Sequence, residues 1–357
     1  MAQHGKAVVH GGLDVSELRA AGVDPREALD FSASLNPLGA PPGIRRAIAR
    51  ADITNYPDRR STALVAALAA HLHVPEEQIL PGNGSSEIIH LLAQAYLRPG
   101  DRFALFAPTF GEYEGACAAA GGRAVRIVAR EADGFLWRAE EAVKAVRAAR
   151  PKLVFLCNPN NPTGVLAGKG FVERVARALP SGSMLVLDEA YIAFAEGAWN
   201  ALPLVKGGRV AVMRSMTKDY GIAGIRLGYL VAGPPVLARL RPRQPSWSVS
   251  GVAQEAGLYA LTHGWHVARA KEEVRRAKAY LAGELKRLRL AYQPSSANFL
   301  LVKVGDASHI RAQLLKRGML VRDCASFGLP AYIRIGIRRT ADCRRLVAAL
   351  REVVRHG

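Results

Sequence analysis

Residues 209–232 read RVAVMRSMTKDYGIAGIRLGYLVA. Two apolar runs, RVAVMRS and LGYLVA, bracket a polar, Gly-punctuated segment. Within it Ser215 and Thr217 flank the approach to Lys218, and Arg226 follows eight residues later. Short apolar runs ended by polar residues are the pattern of strands buried on both faces. A solvated surface lysine needs no such setting. A lysine that holds an aldehyde cofactor carrying a phosphate needs hydroxyls, a cation and glycines that let backbone approach closely.

Further runs of the same kind lie upstream: FALFA (103–107), KLVFLC (152–157) and MLVLDEA (184–190). Amphipathic stretches such as WRAEEAVKAVRAAR and FVERVARALP separate several of them. Strands alternating with helices predict an α/β unit with a mostly parallel sheet covered on both faces. After about residue 250 the pattern changes. A charged helical stretch over roughly 265–290 leads to ANFLLVKV, HIRAQLLKRG, MLVR, YIRIGI and a terminal helix, CRRLVAALREVV. These spacings predict a large α/β domain over 50–260. A small α+β domain is expected from 1–49 and 261–357, with the Pro- and Gly-rich start wrapping onto it.

The chain has 357 residues, half of them hydrophobic, and a formal net charge of +19. That charge raises nucleic-acid binding as a possibility. The densest basic stretch, KEEVRRAKAYLAGELKRLRL, is interleaved with glutamates as on a solvated helix face, and no nucleic-acid-binding motif is present. A phosphorylated or carboxylated small substrate would also gain from a positive field. No apolar run reaches the ~18 residues of a membrane span. MAQHGKAVVHGG lacks the apolar core of a signal peptide, so a cytoplasmic protein is expected. Cys117, Cys157, Cys324 and Cys343 are scattered, which reads as reduced thiols with no metal site.

Candidate site residues fall at the ends of these elements. In GNGSSEIIHLLAQAYLRPGD (82–101), Ile88, Leu91, Leu92 and Ala95 mark one buried helix face. Ser85 or Ser86 can cap that helix. Gly84, Ser85 and Ser86 would also place an anion at its N-terminus, although an ordinary capped helix reads the same way. In LVFLCNPNNPTGVL (153–166) the prolines and asparagines form a tight loop after a strand, where open α/β sheets bind ligands, and Asn161 could donate from it. MLVLDEAYIAF (184–194) ends a buried run on Asp188, Glu189 and Tyr191. A carboxylate there is costly unless paired, and a pyridinium nitrogen would be such a partner. Phe110, in APTFGEYE, offers an aromatic face. Pyridoxal phosphate needs this set in this order: Lys218, Asp188, Asn161 with Tyr191, Phe110, and a phosphate cup of Gly84, Ser85, Ser86, Ser215 and Arg226.

On NPNNPTG, LDEAY and SMTKDYGIAGIRLGYL the chain resembles the fold-type I pyridoxal-phosphate enzymes, in the histidinol-phosphate aminotransferase group of class I/II, over nearly its whole length. The resemblance implies a large domain with a seven-stranded, mostly parallel sheet, and a smaller α+β domain. It implies that Lys218 bonds the cofactor and Asp188 faces its ring nitrogen. Tyr191 and Asn161 would hold its phenolic oxygen, Phe110 would stack, and Ser215, Thr217 and Arg226 would help hold its phosphate. Tyr56, in NYPD, resembles a tyrosine that reaches across a homodimer to the neighbouring phosphate, and Arg334, in YIRIGIR, resembles an arginine that grips the substrate α-carboxylate. The segments HGGLDVSELRAAG, DFSASLNPLGAP, QPSWSVSGVAQEA and LVRDCASF are similar to the threonine-phosphate decarboxylases of cobalamin biosynthesis. That similarity implies a phosphorylated amino-acid substrate bound by His10, Gly11 and Arg322, with Asn161, Arg334 and Ser34 at the same site. Ser34 and Ser250 stand where those enzymes commonly have asparagine. Transamination, as in histidinol-phosphate aminotransferases, is the alternative outcome of the same scaffold.

Overall fold

The computed structural model describes residues 10–355. The first nine residues, which include most of the segment read against a signal peptide, lie outside it. The chain begins with α1 (Val15–Ala20), β1 (Leu29–Asp30), α2 (Ile44–Ile48) and α3 (Thr62–Leu72). Next come β2 (Ile79–Asn83), α4 (Gly84–Tyr96), β3 (Arg102–Ala107), α5 (Glu112–Ala119), β4 (Arg123–Val128) and α6 (Ala139–Ala149). The middle holds β5 (Leu153–Cys157), α7 (Lys169–Ala178), β6 (Met184–Asp188), β7 (Val210–Ser215), α8 (Met216–Asp219) and β8 (Leu227–Val231). After α9 (Pro234–Leu240) and α10 (Gly251–Leu261) the long α11 (Gly264–Arg287) leads into the last third. That third comprises β9 (Tyr292–Gln293), β10 (Phe299–Lys303), α12 (Ala307–Leu315), β11 (Met319–Leu320), β12 (Arg322–Asp323), β13 (Tyr332–Gly336) and α13 (Thr340–Arg355).

A seven-stranded sheet runs in the order β2-β8-β7-β6-β5-β3-β4. Strands β3 to β7 are mutually parallel, whereas β8 lies antiparallel to both β7 and β2. Every residue of β5 and β6 is buried, as expected of central strands covered by helices on both faces. Each fully buried aliphatic side chain there stabilises the fold by about 1.5–3 kcal/mol. One apolar layer joins Leu64, Leu68, Val154, Leu185 and Ala256, and the other joins Ile88, Leu92, Phe103, Phe155 and Leu230. All five apolar runs of the sequence are strands of this sheet.

The sheet also contains two strands that the apolar pattern does not mark. ILPGN (79–83) is rich in turn formers, yet it is the edge strand β2, where Pro81 can be accommodated. RAVRIV (123–128) forms the opposite edge, β4, with exposed arginines at its first and fourth positions.

The smaller unit packs a four-stranded antiparallel sheet, β12-β13-β10-β9, against α11, α12 and α13. The early strand β1 pairs in parallel with β11. Residues 44–48 depart from the expected division. Ile44 is buried with Leu64 and Leu68, and α2 packs on α10, so this piece of the 1–49 segment lies with the larger unit. Its apolar side chain finds a core there, and the Tyr259 hydroxyl donates to the Pro42 carbonyl at 2.7 Å. Among the described residues no helix is long and apolar enough to cross a membrane.

Candidate active site

The carboxyl ends of β5, β6 and β7, the N-terminus of α4 and the strand pair β12–β13 enclose a cavity of about 470 Å³. Open α/β sheets bind ligands at such strand ends. The large-unit wall carries Ser85, Ser86, Phe110, Asn161, Asp188, Tyr191, Thr217, Lys218 and Arg226. The opposite wall carries His10, Gly11, Ser34, Arg322 and Arg334.

Lys218 is the third residue of the short α8, which follows directly on β7. Its Nζ donates to Ser215 Oγ at 3.2 Å and lies 5.9 Å from the centre of the Tyr191 ring. Ser215 lies beneath the cavity surface, with its hydroxyl 2.6 Å from that of Thr217. Burial lowers the pKa of Lys218, while the negative charges of Asp188 and Asp219 oppose that shift. Such an amine is more readily deprotonated than a surface lysine, as a nucleophile toward an aldehyde must be.

Asp188 ends β6 and is buried. Burial raises its pKa, whereas the Tyr113 hydroxyl and the charge of Lys218 pull it down. Tyr113 donates to Oδ2 at 2.5 Å and the Ala190 amide to Oδ1 at 2.9 Å. No salt-bridge partner faces this carboxylate among the described residues, so a cationic ring nitrogen would complete it. Tyr113 is a site residue that the sequence pattern does not reveal. It sits three positions after Phe110, stacks on Phe155 at 4.7 Å and meets the edge of Phe110 at 5.5 Å. Burial pushes the Tyr191 hydroxyl up to about 12, which keeps it a hydrogen-bond donor at neutral pH.

The loop after β5 uses its asparagines unequally. Asn158 pairs with the amide and carbonyl of Ala167, and Asn160 donates to the Pro108 carbonyl and to Thr163. Both therefore brace the loop. Asn161 instead turns to the cavity, where its Oδ1 accepts from Arg334 Nη1.

The anion cup differs from expectation in one detail. Ser85 and Ser86 do not cap α4; they occupy its first turn, behind Asn83 at the cap position. Glu87 reaches back to the Asn83 amide at 2.9 Å instead, leaving the serines free to line the cavity. Gly84 adopts a left-handed backbone (φ 75°), and a β-carbon there would lie 2.7 Å from Arg226 Nη2. Arg226 is itself left-handed (φ 60°). A guanidinium, a helix N-terminus and the Thr217 hydroxyl thus converge, which suits a phosphate.

On the opposite wall Arg322 and Arg334 are direct partners across the antiparallel β12–β13 pair. Arg334 is 5% exposed and donates from Nη2 to the Ser32 carbonyl at 2.6 Å; its buried Nε finds no protein acceptor among the described residues. Arg322 is 7% exposed, donates to Ser326 Oγ at 2.6 Å and lies over Phe327. Burial, and secondarily Arg334, lower its pKa. Two buried arginines at one register position make this wall suited to an anionic ligand.

Ser34 is buried with its hydroxyl unpartnered among the described residues. Ser250 caps α10, accepting from the Ala253 amide at 3.2 Å, a role asparagine fills equally well. The His10 Nε2 lies 3.3 Å from Glu112 and its ring 5.7 Å from Phe110, while the Gly12 amide donates to Ser32 Oγ at 2.8 Å. The first described residues therefore cross the mouth of the cavity. Tyr56 does not reach this cavity. It is 78% exposed and stacked on Trp247 at 4.2 Å.

Sheet order, lysine and carboxylate together define the fold of the fold-type I pyridoxal-phosphate enzymes, and the donor set fits that cofactor. The sequence model of aminotransferases class I and II matches residues 26–350, and the chain belongs to that family. It is 36% identical over 336 residues to the histidinol-phosphate aminotransferase of Moorella thermoacetica, covering 92% of this chain and 86% of that protein. It is 38% identical over 361 residues to the threonine-phosphate decarboxylase of Salmonella typhimurium, covering 97% and 96%. The histidinol-phosphate aminotransferase of Sinorhizobium meliloti, solved in complex with pyridoxal-5'-phosphate, superposes with a TM-score of 0.89 at 27% identity, covering 97% and 95%.

Proposed function

We propose that this protein decarboxylates O-phospho-L-threonine to (R)-1-amino-2-propanol O-2-phosphate and CO2, a step of cobalamin biosynthesis, with pyridoxal phosphate held by Lys218. The observation that carries the proposal is the pairing of Arg322 with Arg334 in one cavity wall, beside a cup suited to the cofactor's own phosphate. A substrate carboxylate would satisfy the buried Nε of Arg334, and a phosphate on the same substrate would reach Arg322 on the same wall. The end-to-end similarity to the Salmonella typhimurium decarboxylase supports the same choice.

Lys218 would bond the aldehyde, Asp188 would hold the ring nitrogen protonated, and Asn161 with Tyr191 would fix the phenolic oxygen. Phe110 would cover the ring, and Ser85, Ser86, Ser215, Thr217 and Arg226 would hold the phosphate. The chemistry supplied by the bound cofactor is an electron sink for the bond broken at the substrate's α-carbon. The protein selects that bond by orientation. Arg334, braced by Asn161 and the Ser32 carbonyl, would orient the substrate carboxylate, and Arg322 with His10 and Gly11 would hold the substrate phosphate. The Lys218 amine would carry the proton that replaces the departing CO2 at the α-carbon. Tyr56, exposed on its own chain, would complete a second subunit's cup in a homodimer.

A second reading has support of its own. Histidinol-phosphate aminotransferases are at least as similar in sequence as the decarboxylase, and an arginine pair also suits the two carboxylates of 2-oxoglutarate. The deciding experiment mixes protein, pyridoxal phosphate and O-phospho-L-threonine without any oxo-acid and follows CO2. Sustained release is the expected result. No CO2, together with amino transfer from histidinol phosphate to 2-oxoglutarate, would replace the proposal with transamination.

A further inference from the structure

The turn that opens α5 reads FGEY (110–113). Phe110 and Tyr113 line the cavity; Glu112, between them, does not. The Glu112 side chain is only 15% exposed, and each of its oxygens has an imidazole beside it. Oε1 lies 3.1 Å from His90 Nε2, which comes from α4, and Oε2 lies 3.3 Å from His10 Nε2. An acid in the first turn of a helix is favoured by the dipole. That preference places a glutamate there, but it does not bring two histidines from separate segments to it. Of the three side chains only that of His10 lines the cavity.

The residues after His10 are fastened to the opposite wall. A β-carbon on Gly11 would collide with the Ser32 carbonyl, so the close backbone approach there requires glycine. The Gly12 amide donates to Ser32 Oγ at 2.8 Å, and that hydroxyl donates in turn to Asp30 Oδ1 at 2.6 Å. The Ser32 carbonyl accepts from Arg334. Residues 10–12 thus span the mouth of the cavity, tied to Ser32 on one side and to Glu112 on the other. With the backbone held at Gly11 and Gly12, the setting of the His10 ring falls to Glu112 and to the Phe110 ring 5.7 Å away.

An imidazole that gives one nitrogen to a carboxylate still has the other to offer. With both nitrogens protonated, one N–H meets Glu112 and the second can meet an oxyanion, which only accepts. A phosphate at that second nitrogen completes a row in which the charges alternate. His90 takes the remaining oxygen of Glu112, so the carboxylate cannot swing away without breaking that contact as well.

We propose that Glu112, steadied by His90, is a positioning residue that turns the His10 imidazole onto the phosphate of the substrate. This rests on the reading of the cavity as the site of a phosphorylated substrate. It does not depend on which reaction follows, because O-phospho-L-threonine and histidinol phosphate both carry a phosphate.

The test uses the full-length, cofactor-loaded protein in steady-state kinetics with O-phospho-L-threonine. E112Q is nearly isosteric and removes the charge; it is expected to raise KM about tenfold with kcat within about twofold of wild type. H10A should raise KM at least as much. Adding E112Q to H10A should then bring no further rise, since the glutamate acts only through the histidine. L-Threonine, which lacks the phosphate, is the control: its affinity, followed by the change in cofactor absorbance, should be the same in wild type and E112Q. H90A should raise KM about threefold, again only while His10 is present, and it carries the test should E112Q fail to load cofactor. An unchanged KM in E112Q or H10A, an equal penalty on L-threonine, or a full E112Q effect in the H10A background overturns the proposal. So does a fall in KM, which simple repulsion between Glu112 and the phosphate would give. Wild-type protein that releases no CO2 but transaminates histidinol phosphate defeats the decarboxylase reading instead. The same variants are then compared on histidinol phosphate against histidinol, with the same outcomes deciding.

Discussion

The two walls of the cavity are built differently. In the large-unit wall the groups around the lysine and the carboxylate lean on one another: Tyr113 and Ala190 on Asp188, Ser215 on Lys218 and Thr217. The small-unit wall is unfinished. It sets two arginines opposite each other, leaves Arg334 Nε unpartnered among the described residues and holds the Ser34 hydroxyl in the same condition. A satisfied network is rigid, and an unsatisfied buried donor awaits a ligand. The difference teaches where each part of function resides. The first wall suits a resident cofactor common to a family, and the second suits the substrate that passes through.

Substitutions can break this contrast, beginning with the largest effect. K218A is expected to lower turnover by at least about a thousandfold, and primary amines added to the assay should restore part of it. R334A should lower kcat/KM by about a hundredfold while leaving cofactor affinity near wild type, because it belongs to the second wall. R322A should cost roughly tenfold, mostly in KM for the phosphorylated substrate. If either arginine variant loses pyridoxal phosphate in equilibrium dialysis, the two walls are not separable.

Ser34 sharpens the point because its two effects carry opposite signs. S34A removes a buried, unpaired hydroxyl, so the cofactor-free protein should gain about 1 kcal/mol in urea unfolding. The same change should weaken substrate binding about threefold to tenfold in isothermal titration. A loss of stability would mean that the hydroxyl already has a partner within the fold. The smallest effect belongs to Tyr56. Y56A should change subunit stability by less than about 0.5 kcal/mol, given its exposure. It should nevertheless weaken cofactor binding severalfold if its ring serves a neighbouring subunit.

The same two walls differ in how far the sequence discloses them. The large-unit wall is assembled from contiguous segments in which the strand that positions a residue immediately precedes it, as VAVMRS precedes Lys218 and MLVL precedes Asp188. Buried strands announce themselves by composition, so the parallel core and its polar ends are legible. The edge strands are not: Pro81 and Gly82 imitate a turn, and only pairing with β8 makes ILPGN a strand. Tyr113 escapes for a related reason, since its partner Asp188 lies 75 residues away. The confrontation of Arg322 with Arg334 depends on a register that no local pattern encodes. Ser85 or Ser86 reads as a cap because serine favours caps, but the helix already starts at Gly84 and both serines fall inside its first turn.

Gly84 and Arg226 share one space. Each holds a left-handed backbone, and the guanidinium of one occupies the space into which a side chain on the other would grow. A larger residue at 84 would have to take on a left-handed backbone and displace the guanidinium from the mouth of the helix, so the anion cup is held open by the absence of a side chain as much as by the presence of a charge.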